Sequence, residues 1–176
     1  MAASVIFLDL ARQTGWCEGA PGTDPLHGTH RLAPDGAPPA AALAGLMEWL
    51  GRRLMARRYA AVYYEAPIHP RQMQRTNART TELLYGLPGV VLAVAHTTGH
   101  YRVKAQNVAT IRKNLLGYLP RGDGRKGAVI AQVRALGHDP ADDNEADAIA
   151  GWYLACAQVA PDLARDIAPL APGRPA

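Results

Sequence analysis

The chain is 176 residues long, which fits one domain with a single hydrophobic core and leaves little room for a second. Its 19 basic and 15 acidic residues give a formal net charge of only +4, so the total charge does not by itself indicate a partner. The longest apolar stretch, around positions 87 to 95, is much shorter than the roughly 20 residues of a membrane span. We therefore expect no membrane partner.

The two cysteines, Cys17 and Cys156, belong to no metal-binding or redox pattern. No amino-terminal stretch resembles a signal peptide. Because disulfides are rare in the reducing cytosol, this composition favours a cytoplasmic protein without structural zinc.

Apolar segments at the start of the chain predict the first strands of a sheet. Residues 4 to 10 are apolar except for Ser4 and Asp9, which is typical of a central strand buried on both faces. A second strand begins near Thr14 after a tight turn. A short third strand is expected near residues 27 to 32, after a connection rich in Gly and Pro. Its His27 and His30 are expected to be exposed to solvent, with metal ligation as the alternative.

Helices and strands alternate in the rest of the chain. Leucines at helical spacing predict a helix over residues 40 to 58, and residues 60 to 64 predict a fourth strand that leads to Glu65. The later elements are a helix over residues 71 to 85 that can continue to 95 with a kink at Pro88, a strand over 100 to 105, and helices over 107 to 116, 124 to 136 and 146 to 160. Asp142 is expected to cap the last helix, with Glu145 completing a capping box.

This order predicts an α/β fold with a central mixed five-stranded sheet flanked by helices. We expect one domain over residues 1 to 160, followed by a flexible tail over residues 161 to 176 that is rich in Pro and Ala.

Basic residues are concentrated in one part of the chain. Positions 71 to 134 contain eleven basic residues and two acidic ones, which favours a nucleic-acid backbone as partner. Arg71, Arg75 and Arg79 are four residues apart and would share one helix face. Only three lysines occur beside sixteen arginines, and of these we favour Lys126, then Lys113, as a point charge near a reacting phosphate. A solvated, arginine-rich surface is the alternative.

Three carboxylates lie at the ends of predicted core elements. Asp9 and Glu65 end strands that can be neighbours, because the first strand of such a sheet is usually central and the fourth can return beside it. A closing helix would then add Asp147, together with Asp143 or Asn144. Oxygen donors of this kind are the ligands of hard divalent cations. The alternative is that each acid only caps a turn, ends a surface strand or complements a helix dipole.

These motifs resemble those of the RuvC family of Holliday-junction resolvases, within the RNase H-like nuclease superfamily, and are most similar to its phage-type branch. The resemblance covers about residues 4 to 158. It rests on Asp9 with Gly15 and Trp16, on Glu65 before a polar helix, on the basic segments 111 to 113 and 124 to 127, and on the acidic helix segment 145 to 150. The chain departs from the pattern in two ways: Asn144 stands where the family commonly has Asp or His, and Leu10-Ala11 replaces Pro-Gly.

The resemblance implies an RNase H-like fold and a set of roles for these residues. Asp9, Glu65, Asp147 and Lys126 would be catalytic. Two Mg²⁺ ions, with Mn²⁺ as an alternative, would be held by Asp9, Glu65, Asp147 and either Asp143 or Asn144. The residues expected to contact DNA are Arg71, Arg75, Arg79, Lys104, Arg112, Lys113, Arg125 and Lys126.

The expected function is that of a metal-dependent endonuclease that resolves four-way DNA junctions by symmetric hydrolysis and leaves 5′-phosphate ends. The resemblance also implies a homodimer, since two symmetric cuts need two sites related by a twofold axis, in a bacterial or phage-infected cell. No nucleotide cofactor is expected.

Two other functions remain open. The chain can be an RNase H-like nuclease for forks, flaps or RNA/DNA hybrids, or a junction-binding protein that does not cleave, for which the neutral Asn144 is an argument. An actin-like ATPase is disfavoured, because that architecture needs two such domains.

Overall fold

The computed structural model describes residues 4–67, 78–120 and 124–162, and for Arg125 the backbone alone. Predictions that fall on Arg71, on Arg75 and on the tail from position 163 onward therefore lie outside the described residues.

Within these residues, five strands form one mixed sheet in the order β3-β2-β1-β4-β5. The strands are β1 (Val5–Asp9), β2 (Gln13–Gly19), β3 (Leu26–Arg31), β4 (Ala61–Glu65) and β5 (Val103–Gln106). β2 pairs antiparallel with β1 and with β3, whereas β4 pairs parallel with β1 and with β5. The predicted fold class is confirmed, and so is the central position of the first strand beside the fourth.

Helices cover both faces of the sheet. They are α1 (Pro39–Ala56), α2 (Ala78–Thr97), α3 (Val108–Leu116), α4 (Arg125–Ala135) and α5 (Asp143–Val159). α2 continues past Pro88, and α5 begins three residues before the predicted start of its regular part. No helix among the described residues is long and apolar enough to cross a membrane.

The alternation of side chains along β1 divides the core into two layers. Val5 and Phe7 pack with residues of α3, α4 and α5, on what we term the α5 side of the sheet. Ile6 and Leu8 pack with α1 and α2, on the α1 side. All four side chains are fully buried, which explains why this strand is apolar without interruption.

Two glycines allow α5 to lie directly on the sheet. A Cβ atom added to Gly15 in β2 would be 2.0 Å from the backbone oxygen of Asn144, and one added to Gly151 in α5 would be 2.2 Å from the ring of Phe7. Real Cβ atoms do not approach other atoms this closely. The absence of a side chain at position 15 therefore allows the first turn of α5 to pack against the first part of β2, opposite Asp9.

The last strand begins later than the sequence predicts. Residues 100 to 102 precede β5 instead of forming its first part, because His100 turns into the α1 side and is 4% exposed. Its Nε2 accepts a hydrogen bond from the backbone N–H of Tyr59 at 3.3 Å, and its Nδ1 lies 3.1 Å from the hydroxyl of Thr98. These contacts anchor the turn that leads into the strand.

Candidate active site

Asp9 and Glu65 end two adjacent parallel strands at the same edge of the sheet. The register pairs Leu8 with Tyr64, so the two acids follow at the same level, on strands about 4.8 Å apart. Because side chains alternate along a strand, both acids point to the α5 side, like Phe7 two residues earlier. Two carboxylates thus face one layer of helices from neighbouring positions.

α5 brings further acids to the same place. Asp143 is its first residue, and Asp147 follows one turn later, so both lie on one face of the helix. The charges of Asp143, Asp147 and Glu65 all act on Asp9. The structure therefore brings together four of the carboxylates that the sequence analysis selected, across 138 positions of the chain from Asp9 to Asp147.

Burial and mutual repulsion shift the pKa values of these groups upward. Burial is the main cause of the raised pKa of Asp9, and the charges of Glu65, Asp147 and Asp143 raise it further. Burial, followed by the charge of Asp147, raises the pKa of Glu65 to about 7, and burial raises the pKa of Asp147. A cation bound between them would favour the ionised forms and remove this cost.

Two basic side chains flank the acids. The guanidinium of Arg112, on α3, opposes the effect of burial by lowering the pKa values of Glu65 and Asp147. Its Nε atom is buried and finds no hydrogen-bond partner among the described residues. Arg112 was predicted to contact DNA, and it lies closer to the acids than the sequence alone indicated.

Lys126 forms the other flank, from the first turn of α4. Its ammonium donates a hydrogen bond to a carboxylate oxygen of Asp143, which raises the pKa of Lys126 and lowers that of Asp143. Lys126 also acts weakly on Asp9 and Asp147 through its charge. The predicted catalytic lysine is thus at the edge of the acid cluster, paired with one of its members.

Several contacts fix the amino-terminal end of α5. Asp142 accepts a hydrogen bond from the backbone N–H of Glu145 at 2.9 Å, as a helix cap should, and a second from the side chain of Gln13 at 2.6 Å. The other half of the predicted capping box is displaced by one residue, because Glu145 accepts from the N–H of Ala141 and not from that of Asp142.

The displaced carboxylate of Glu145 also reaches β3, where its Oε1 lies 2.5 Å from Nδ1 of His27. The prediction that the histidines of β3 are solvated is therefore wrong. His27 is bound to Glu145 and packs edge to face with His138, and His30 stacks on Trp49 with ring centroids 5.0 Å apart. The sequence contains no local signal for these contacts, since the partners are distant in the chain.

The donor set suits a hard divalent cation, because it consists of carboxylates that are only partly compensated by the basic side chains beside them. Among the described residues, however, no three His, Cys, Asp or Glu side chains are already spaced as ligands of one ion. Like charges repel one another when no cation separates them, and Asp143 is held by Lys126. Binding of an ion would therefore require the carboxylates to draw together.

The remaining residues predicted to contact DNA or metal lie on several other elements or outside the described residues. Arg79, Lys104 and Lys113 are exposed, on the first turn of α2, on the edge strand β5 and on α3. Asn144 is half-buried where α5 meets β2. Arg125 lies at the start of α4.

No family model matches the sequence, and no curated protein matches it either. Among solved structures, the chain is similar to Thermus thermophilus RuvC, with 20% sequence identity and a TM-score of 0.62 over 86% of this chain and 95% of that one. It is also similar to T. thermophilus RuvC in complex with Holliday junction substrate, with 17% identity and a TM-score of 0.63 over 84% of this chain and 89% of that one. The resemblance found in the sequence is thereby confirmed at the level of the fold, and the chain has the RNase H-like fold of RuvC.

Proposed function

We propose that this protein is a divalent-metal-dependent endonuclease that resolves four-way DNA junctions and leaves 5′-phosphate ends. The observation that carries the proposal is the convergence of Asp9, Glu65 and Asp147 at one edge of a RuvC-like sheet. Their pKa values are raised although Arg112 and Lys126 lie nearby, and none of the three forms a direct ion pair among the described residues. Buried acids whose pKa values are raised by one another are a feature of functional sites.

In this proposal, Asp9, Glu65 and Asp147 hold two Mg²⁺ ions, or Mn²⁺ in their place. Such ions lower the pKa of a bound water and stabilise the leaving 3′-oxygen of a phosphodiester. With a pKa of about 7, Glu65 is present in both its protonated and its ionised form near neutral pH, and a bound cation would favour the ionised form.

Arg112 and Lys126 act on the phosphate. A guanidinium offers several donors in a rigid fork that matches phosphate oxygens, and Nε of Arg112 lacks a partner within the described chain. The ammonium of Lys126 is a compact charge that can offset negative charge as it develops on the scissile phosphate. The exposed Arg79, Lys104 and Lys113 would bind the DNA backbone away from the cut.

Symmetric resolution needs two copies of the site, so the proposal includes a homodimer. The outward face of α2 supports a helix-to-helix interface. Tyr85, Gly89, Leu92 and His96 are exposed there and follow one another at spacings of four, three and four residues, as in the seam of two packed helices. Leu92, 49% exposed, would be its central apolar contact.

We also propose a cytoplasmic location. Both cysteines are free and buried, which is compatible with a reducing compartment and adds no requirement for oxidation.

The experiment that tests the activity is a cleavage assay of the full chain on a synthetic four-way junction, a Y-fork, an RNA/DNA hybrid and a plain duplex, with and without Mg²⁺. We expect paired nicks on the junction, 5′-phosphate products and no cleavage by Asp9→Asn. Asp35→Asn serves as the matched control, because this acid is 83% exposed and pairs only with Arg31 among the described residues.

Faster cleavage of the fork or the hybrid than of the junction would identify that nucleic acid, and not the four-way junction, as the substrate. Binding of the junction in EDTA, without nicks in Mg²⁺ or Mn²⁺, would identify a non-cleaving binding protein. Sedimentation equilibrium tests the dimer: Leu92→Glu should give a monomer, whereas Met55→Glu, at an 81% exposed position of α1, should not.

A further inference from the structure

We propose that Lys126 and Asp143 form an exchangeable ion pair, in which Lys126 neutralises Asp143 until a divalent cation displaces it, and that Asp143, not Asn144, is the fourth ligand of the site. The inference rests on the proposed function. Because Asn144 stands where the RuvC family commonly has Asp or His, the fourth ligand is not assigned by the resemblance, and the inference assigns it to Asp143. It also gives Lys126 a role before DNA binds, which is to neutralise Asp143.

The direction of the two side chains on α5 favours Asp143. Successive residues of an α-helix are turned by about 100°, so Asp143 is turned by only about 40° from Asp147, whereas Asn144 is turned by about 60° to the other side. The charge of Asp143 acts on Asp9 and on Asp147, which places its carboxylate towards the acid cluster.

Asn144 lies against β2. Its backbone oxygen is pressed against Gly15, so this part of the turn faces β2. Its neutral amide is also a weaker ligand than a carboxylate for a hard cation, whose affinity depends on the number of ligand charges. Position and chemistry therefore agree in favouring Asp143.

The ion pair is built so that it can be exchanged. The side chain of Lys126 is 66% exposed and that of Asp143 is 35% exposed, and ion pairs that open to water contribute little. A divalent cation carries twice the charge of an ammonium and interacts with several carboxylates at once. Displacement would leave the ammonium of Lys126 free beside the cluster, where a scissile phosphate would lie.

The test is a double-mutant cycle on metal affinity without DNA, so that no readout depends on cleavage. The full-length chain is titrated with Mn²⁺ by calorimetry as wild type, Lys126→Ala, Asp143→Asn, the double variant and Asn144→Ala. Arg134→Ala is the control, because it removes one positive charge from the same helix, α4, at a 59% exposed position. Circular dichroism verifies that each variant is folded.

We expect Lys126→Ala to bind Mn²⁺ about two- to five-fold more tightly than wild type, the factor that an exposed pair is worth. Asp143→Asn should weaken binding by about ten-fold or more, and in that background Lys126→Ala should have no further effect. Asn144→Ala and Arg134→Ala should stay within about two-fold of wild type.

An equal gain from Lys126→Ala in both backgrounds would overturn the inference, because it would reduce the role of the lysine to general charge. A ten-fold loss in Asn144→Ala with no loss in Asp143→Asn would also overturn it. If the wild type binds no Mn²⁺ at all, the proposed metal-dependent function fails, and the inference fails with it. If the wild type binds Mn²⁺ but the variants show one of the two patterns above, only the inference fails.

Discussion

Two acids on opposite faces of the sheet, Glu18 and Asp9, differ in how many ion pairs and hydrogen bonds surround their carboxylates. Glu18, on the α1 side, is 3% exposed, and both of its carboxylate oxygens have partners. Its oxygens lie 2.8 Å from the guanidinium of Arg53 and 3.0 Å from that of Arg57, and one of them accepts a hydrogen bond from the hydroxyl of Tyr59. Asp9, on the α5 side, is less buried, yet it has no ion pair or hydrogen bond from its side chain within the described residues and faces three other acids.

The difference separates a structural charge from a functional one. A buried carboxylate is compatible with folding when cations and donors surround it, as they surround Glu18. The acids around Asp9 are compensated only in part, by the charges of Arg112 and Lys126, so their pKa values stay raised and a bound cation would remove the remaining cost. Substitutions on the two faces should therefore separate effects on stability from effects on activity.

The largest effect is expected for Asp147→Asn. Loss of a ligand charge should reduce junction cleavage by about 10³-fold, since metal ions supply several kcal/mol of transition-state stabilisation. Stability without metal should be retained or increase, because a buried charge that repels Asp9 and Glu65 is removed. Cleavage rates and urea denaturation measure the two quantities. A parallel loss of stability would show that Asp147 has a structural role instead.

The opposite outcome is expected on the other face. Glu18→Ala leaves Arg53 and Tyr59 without their buried partner, so the free energy of unfolding should fall by about 3–5 kcal/mol. Glu48→Ala is the matched control, because its pair with Arg52 is on the surface and should be worth about 0.3–0.5 kcal/mol. Urea denaturation of both variants is the measurement. Similar losses in the two would contradict the distinction.

A smaller effect on both properties is expected for Gly15→Ala. The new methyl group would meet the backbone of Asn144, so α5 must move, at a cost of about 1–3 kcal/mol. Because α5 carries Asp147, Mn²⁺ affinity should fall as well. Gly127→Ala should instead stabilise by about 0.5–1 kcal/mol, because Gly127 is exposed on α4 and an added Cβ would meet nothing within 4 Å beyond its chain neighbours and the backbone of its own helix. Unchanged metal affinity in Gly15→Ala would show that the site tolerates this movement.

The smallest effect concerns pH. Burial, assisted by the charge of Arg58, lowers the pKa of His100 below its ordinary 6.5, so the folded state prefers the neutral imidazole. The stabilising contribution of His100 is complete above pH 6.5 and is lost as the pH falls from there towards the lowered pKa. His100→Gln should therefore show a flatter fall in unfolding free energy over that window. An identical slope in wild type and variant would remove His100 as a contributor.

Much of the fold was predictable from local patterns. The uninterrupted apolar run before Asp9 indicates a central strand, leucine spacing indicates α1, and the cap at Asp142 marks the beginning of α5. The convergence of Asp9, Glu65 and Asp147 was also predicted, because the carboxyl ends of adjacent parallel strands share one edge of a sheet. The catalytic and metal-binding roles of these residues stay predictions.

The amino-acid sequence by itself determined which segments become strands and helices and where acids stand at their ends, since side-chain period and capping act over a few residues. Only the tertiary structure decided which charges meet. Lys126 reaches Asp143, His27 reaches Glu145 across 118 positions, and Glu18 finds Arg53 on another element. Such partners are selected by packing in three dimensions, because electrostatic and hydrogen-bond energies depend on distance in space and not on distance along the chain.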